Sequence, residues 1–242
     1  MNEIITLFRG ALTLDAKKFG DLKAAPDVFR KGFLFVVVVG LIVGIVLGLV
    51  ATVQGLTTSP AAEIAQARQQ MESSFGQFMP PEAAAQFLDS FNMGMRIAER
   101  IAREKALLPR PVEVVFKQIG FIVAYPFGWL GSLLLYGAFV HIFAKLLGGR
   151  GTIAQMFGVT SLAVAPHLLD ALGFIPCLGG LLGLIAFVWG AVIYVKGTAT
   201  AQELSAGRAT LAVFMPIVVA FVLAVLLLLG FGVLIALASG GR

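Results

Sequence analysis

Charge is absent from long stretches of this chain, and those gaps predict its elements. Residues 32–54, 120–144 and 211–237 contain no Asp, Glu, Lys or Arg, and Asp170 is the only such residue between 153 and 195. A helix of roughly 20 apolar residues, rising 1.5 Å per residue, crosses a hydrocarbon core about 30 Å thick. The pattern predicts five crossings, at 32–54, 117–147, 152–172, 178–196 and 210–238. The expected fold class is all-α: a polytopic integral membrane helix bundle with five transmembrane helices and an extramembrane helical hairpin.

The segments between the crossings have their own signatures. In residues 1–31, Ile4, Ile5, Leu7, Phe8, Ala11, Leu12 and Leu14 fit one apolar face of a short helix, and Lys17, Lys18, Lys23, Arg30 and Lys31 follow. Such a segment suits either the cytoplasmic leaflet surface or the underside of the bundle. Residues 55–110 are the one sizeable polar segment. Pro80 and Pro81 divide it into two helix-favouring arms, and Phe87, Phe91, Ile97 and Ile101 fall near one face of the second arm. The hairpin is expected to cover the bundle or rest on the membrane interface, with a ligand-binding cap as the sharper alternative. Residues 111–242 form the expected four-helix membrane domain. Pro126 and Pro216 fall inside crossings, and Tyr125 and Trp129 suit an aromatic belt.

Composition agrees with this pattern. The hydrophobic fraction is 59% and the charged fraction 13%, against about 25% charged residues in soluble domains. The net charge of +5 sits beside the apolar runs rather than in a basic domain. No nucleic-acid partner is therefore expected; membrane lipids are, with anionic lipids at the cytoplasmic face. Arg9, Lys17, Lys18, Lys23, Arg30 and Lys31, then Lys145 and Arg150, then Lys196 and Arg208 fall on one side of a five-crossing chain. That side is expected to be the cytoplasm, with the carboxyl terminus outside. The single cysteine, Cys177, allows no disulfide framework or zinc cluster within one chain and reads as a small apolar residue at a helix end.

Ionisable groups within crossings are expensive and are functional candidates by default. They are His141, Lys145, His167 and Asp170. His141 is expected about 9 Å from the cytoplasmic end of its helix and His167 at a similar depth from the other face, too far apart to share a metal. Lys145 is expected to snorkel to headgroups. Asp170 lies level with Lys117, and the two are expected to form an ion pair if their helices are neighbours. His167 and Asp170, three residues apart, share a helix face. Interhelical hydrogen bonding and a proton relay are the alternatives for that pair. Gly40, Gly44 and Gly48 recur every four residues and make a small-residue packing stripe, for another helix of this chain or for a second copy. No phosphate-cradling loop, zinc-protease motif or nucleophile elbow occurs. No catalytic residue, metal or cofactor is expected.

The carboxyl half carries a recognisable cadence. It reads Leu162-Ala163-Val164-Ala165-Pro166, then Ile175-Pro176, Gly179 and Trp189, then Gly197, Ala201, Glu203-Leu204-Ser205 and Gly207-Arg208-Ala209. His141-Ile142-Phe143-Ala144-Lys145 and Ala11-Leu12-Thr13-Leu14-Asp15 precede it. This resembles the Yip-one domain family of Ypt/Rab-interacting proteins, in its prokaryotic-type form. The resemblance implies five membrane-spanning helices and a cytoplasmic amino terminus, and it assigns no activity to particular residues. Together these observations predict a non-enzymatic protein of a bacterial inner membrane, working in membrane organisation, scaffolding or partner recruitment, with a homo-oligomer or membrane-protein partner. The alternative is a transporter, channel or lipid-moving protein with a cavity in its bundle.

Overall fold

The apolar runs are helical throughout, and among the described residues there is no strand. The computed structural model describes residues 2–59, 62, 64–66, 68, 69, 71, 81–103, 108–176 and 178–239. Helix α1 is Asn2–Leu12, α2 Ala16–Ala24, α3 Val28–Thr57, α4 Pro81–Arg103, α5 Arg110–Leu146, α6 Ile153–Thr160, α7 Leu178–Gln202 and α8 Ala206–Ser239; a 3₁₀ helix, Ser161–Leu172, continues α6 without a break. Cys177, Pro80 and most of the first arm of the expected hairpin lie outside the described residues. Its second arm is α4, which begins on Pro81, where a missing N–H costs a helix nothing. Phe87 and Phe91 stack on α4 with centroids 6.5 Å apart, while Met93 and Ile97 are exposed.

Among the described residues, four helices are long and apolar enough to cross a membrane: α3, α5, α7 and α8. The expected crossing at 152–172 is built differently. It is one short α-helix and twelve residues of 3₁₀ helix, well beyond the usual run of three or four residues. Pro166 sits in the middle of that run and removes one N–H from its ladder. A 3₁₀ helix rises about 2.0 Å per residue against 1.5 Å, so the twenty residues reach about 36 Å. Its start is well defined. The Thr152 hydroxyl accepts from Gln155 N–H at 3.2 Å, and the Gln155 side-chain oxygen accepts from Thr152 N–H at 2.9 Å, a reciprocal cap.

The chain divides into two compact units, Gly48–Phe121 and the remainder, Met1–Leu47 with Ile122–Arg242. In the larger unit one apolar core gathers residues from nearly every element. Phe35, Val36, Val140, Met156, Leu162 and Ile193 are fully buried in it. Helices α1 and α2 contribute Leu7, Ala11, Phe19 and Leu22 to the same core, so the apolar face of the first 31 residues packs on the bundle. In the smaller unit the Arg110 guanidinium donates to the Gly55 carbonyl at 2.9 Å and also reaches the Thr58 carbonyl. It thereby satisfies carbonyls that the end of α3 leaves open.

Helices α3 and α6 touch backbone to backbone. A Cβ on Gly32 would lie 2.5 Å from the Gly158 carbonyl oxygen, and one on Gly158 2.4 Å from the Val28 carbonyl oxygen. Gly40 and Gly44 of the predicted stripe face a helix of the same chain. A Cβ on Gly40 would meet Pro126 at 2.8 Å, and one on Gly44 would meet Tyr125 at 3.1 Å, both on α5. Helix α8 behaves oppositely. Ala209, Ala212 and Val213 are buried, but every residue from Ile217 to Phe231 is exposed. The change falls at Pro216, which cannot complete the local helix ladder.

The glycine contacts predict contrasting substitutions. Gly32→Ala and Gly158→Ala should each destabilise the detergent-solubilised protein by about 1–3 kcal/mol through overpacking. Gly128→Ala, on an open face of α5, should be neutral or stabilising by up to about 1 kcal/mol. Thermal or denaturant unfolding in one detergent compares the three.

Candidate functional site

The ionisable residues of the apolar spans fall into separate sites. His167 and Asp170 lie on the 3₁₀ helix, whose three-residue turn brings positions i and i+3 directly into line. The ring Nδ1 and the Asp170 carboxylate oxygen are accordingly 2.8 Å apart, with Nδ1–H donating. Both side chains are largely buried, at 16% and 23% exposure. Trp129 of α5 packs on the His167 ring with centroids 4.3 Å apart, so this tryptophan faces His167 inside the unit. The void beside His167 is about 10 Å³, walled mainly by Val36, Val39, Val43 and Val164, which is at the lower limit for one water.

His141 has a different partner. The Gln202 amide nitrogen donates to His141 Nδ1 at 3.0 Å, bonding the end of α7 to α5. Gln202 is fully buried, and it was missed in the sequence because the last residues of α7 read as a polar connection beyond Lys196. The helix runs on because Thr198, Ala201 and Gln202 are all buried against neighbours. Tyr136 and Tyr194 meet nearby on α5 and α7, with ring centroids 5.7 Å apart, and the Tyr136 hydroxyl donates to the Val213 carbonyl at 2.5 Å. Tyrosine on a helix gives no signal in the sequence that its hydroxyl is consumed by a neighbouring helix.

Lys117 lies in the smaller unit, where with Arg110, Glu113, Gln54 and Gln118 it lines a polar recess of about 470 Å³. The Asp170 carboxylate, in the larger unit, has His167 as its bonded partner. Among the described residues no three His, Cys, Asp or Glu side chains are grouped to hold a metal.

A second charged constellation braces the helix ends. Glu203, in the corner between α7 and α8, adopts φ +57°, an uncommon conformation for a residue with a side chain. It closes α7: Leu204 N–H bonds the Ala199 carbonyl at 3.0 Å, the long bond of a left-handed helix cap. The Glu203 carboxylate takes Lys23 Nζ of α2 at 2.7 Å. That bond, then the Lys23 charge, holds its carboxyl below the usual glutamate range. Lys31 of α3 likewise takes Glu3 of α1 at 2.6 Å.

The family model described as the Yip1 domain matches residues 9–229. The chain belongs to the Yip1 family. The match spans α1 to α8 and takes in the segment between α3 and α5. No curated protein matches the chain, and no solved structure does. In this Yip1 domain the Glu203-Leu204-Ser205 element is therefore a helix stop and a clamp for α2, and Trp189 serves a similar end, donating its indole N–H to the Leu12 carbonyl at 3.2 Å.

Two measurements follow from these contacts. A double-mutant cycle with His141→Leu and Gln202→Leu should show coupling of about 0.6 kcal/mol and not above about 1.7, the range for interhelical bonds in membranes. The Lys23–Glu203 clamp depends on a carboxyl whose folded pKa is depressed, so its contribution is full above the ordinary value of 4.5 and is lost as pH falls through the lower folded value. Amide exchange in α2, corrected for intrinsic rates, should accelerate below that pH in the native protein. In Glu203→Gln it should already be fast at neutral pH and show no such step.

Proposed function

We propose that this Yip1 domain is a non-enzymatic scaffold of the membrane, one that holds helices and recruits partners rather than moving a solute. The observation that carries this reading is the filled interior at His167. A transport path would need a wet, continuous cavity around its intramembrane ionisable groups. Here His167 and Asp170 bond each other and border a void of about 10 Å³, while His141 is spent on Gln202. Interhelical hydrogen bonds and close glycine contacts are what hold helices together in lipid; the His141–Gln202 bond is of this kind, while His167 and Asp170 bond within their own helix.

The same reading carries a topology. The α6–3₁₀ segment is the fifth crossing, supported by its reach of about 36 Å and the burial of Leu162 to Pro166. Five crossings place the amino terminus with α1, α2 and the Lys145, Arg150 and Arg208 rim in the cytoplasm, and the carboxyl terminus on the other side, in accord with the distribution of basic residues. The membrane is an inner membrane of a bacterial cell. Partners are anionic lipids along the basic rim and other membrane proteins, with a second copy as one candidate.

Two experiments test this. Compartment-specific reporters at the two termini should report opposite sides; the same side for both removes the five-crossing topology. Reconstituted liposomes should show solute flux and lipid scrambling equal to protein-free liposomes. Transport above that background, abolished by His167→Ala, would replace the scaffold with a carrier.

A further inference from the structure

The surface between α5 and α8 holds an apolar groove of about 920 Å³. It is walled by Leu135, Tyr136, Phe139 and Ile142 from α5 and by Pro216 and Phe221 from α8. It exists because α8 leaves the bundle at Pro216. The Tyr136 hydroxyl, at one wall of the groove, donates to the carbonyl of Val213, a buried residue of α8. The walls offer almost no polar atom, so the occupant within the groove is a hydrocarbon.

The ends of the groove differ in charge. Lys145 follows Ile142 by three residues and therefore shares its face of α5. Arg208 precedes Val219, another wall residue, by about three helical turns and so lies on the same face of α8. Lys145 and Arg208 are both exposed, and an Arg208 Nη atom lies 3.8 Å from where a Cβ would sit on Gly148, in the turn that follows α5. Helix α8 contains no acidic residue and α5 contains none after Glu113. The nearest acid along the chain, Glu203, is bonded to Lys23. An apolar trough that ends at two cations with no acid paired to either among the described residues has the form of an acyl chain joined to a phosphate.

We propose that this groove is a binding site for one anionic glycerophospholipid, its acyl chains lying along Phe139 and Phe221 and its headgroup phosphate between Lys145 and Arg208. The site rests on α5 and α8 crossing the membrane and does not depend on the scaffold reading. A cation near an anionic headgroup is worth roughly fivefold in binding, so two favour an anionic over a zwitterionic headgroup by about tenfold or more.

The test is native mass spectrometry of the full chain released from nanodiscs of equimolar phosphatidylglycerol and phosphatidylcholine. The expected spectrum retains about one phosphatidylglycerol per chain, enriched about tenfold or more over phosphatidylcholine. Lys145→Gln with Arg208→Gln should reduce that enrichment to about twofold or less, and Lys145→Arg with Arg208→Lys should preserve it, which separates charge from misfolding. Equal retention of both lipids by the native protein overturns the proposal. So does a lipid-free dimer cross-linked between Phe139→Cys of one copy and Phe221→Cys of another, which assigns the groove to a second copy. Release of the protein from membranes by alkaline carbonate would instead overturn the membrane-spanning reading on which the site rests.

Discussion

The contact of Gly32 with Gly158 is the constraint on which the larger unit depends. Lipid chains are as apolar as leucine, so helices in a bilayer gain little from burying apolar surface against one another. Close backbone approach and interhelical hydrogen bonds must supply the specificity instead. Here the backbones of two helices come into direct contact, and a Cβ on either glycine would fall within 2.5 Å of a carbonyl oxygen. That approach places α6 against α3, and with it the 3₁₀ helix that continues α6. The alignment of His167 with Asp170 and the position of the His167 ring beside Trp129 follow from there.

Polar chemistry in this Yip1 domain serves packing first. His141, Tyr136 and Trp189 each place a hydrogen bond across to another helix, and Lys23 and Lys31 tie α2 and α1 to the helix ends. The Glu203 corner combines two of these tasks. Its left-handed backbone stops α7, and its carboxylate fastens α2. The cost of that conformation, about 1–2 kcal/mol for a residue with a side chain, is offset because the same residue satisfies the end of a helix and anchors another.

Where α8 passes Pro216 the pattern reverses. From Ile217 to Phe231 its surface is apolar on every side and turned outward, which is the form of a helix covered by lipid or by another chain rather than by its own bundle. The seam between it and α5 offers a hydrocarbon trough that ends near Lys145 and Arg208, and it is formed by the departure of one helix rather than by any motif.

The amino-acid sequence by itself determined the class of molecule: the charge-free runs require lipid, and long apolar periods can satisfy their backbone there only as helix. It also determined the family, through the cadence around Pro166, Glu203 and Arg208. It placed His167 and Asp170 on a common face, because their spacing of three is meaningful for either helix type. What only the tertiary structure decided are the partners. Gln202 beside His141 joins residues 61 apart, and Lys23 beside Glu203 joins residues 180 apart; no local pattern encodes such pairs. The 3₁₀ form of the segment at 161–172 was also illegible, since its composition suits an α-helix equally well and its geometry is set by Pro166 and by burial from Leu162 onward. A glycine stripe states that something comes close, but only the fold shows that, for Gly40 and Gly44, the neighbour is α5 of the same chain.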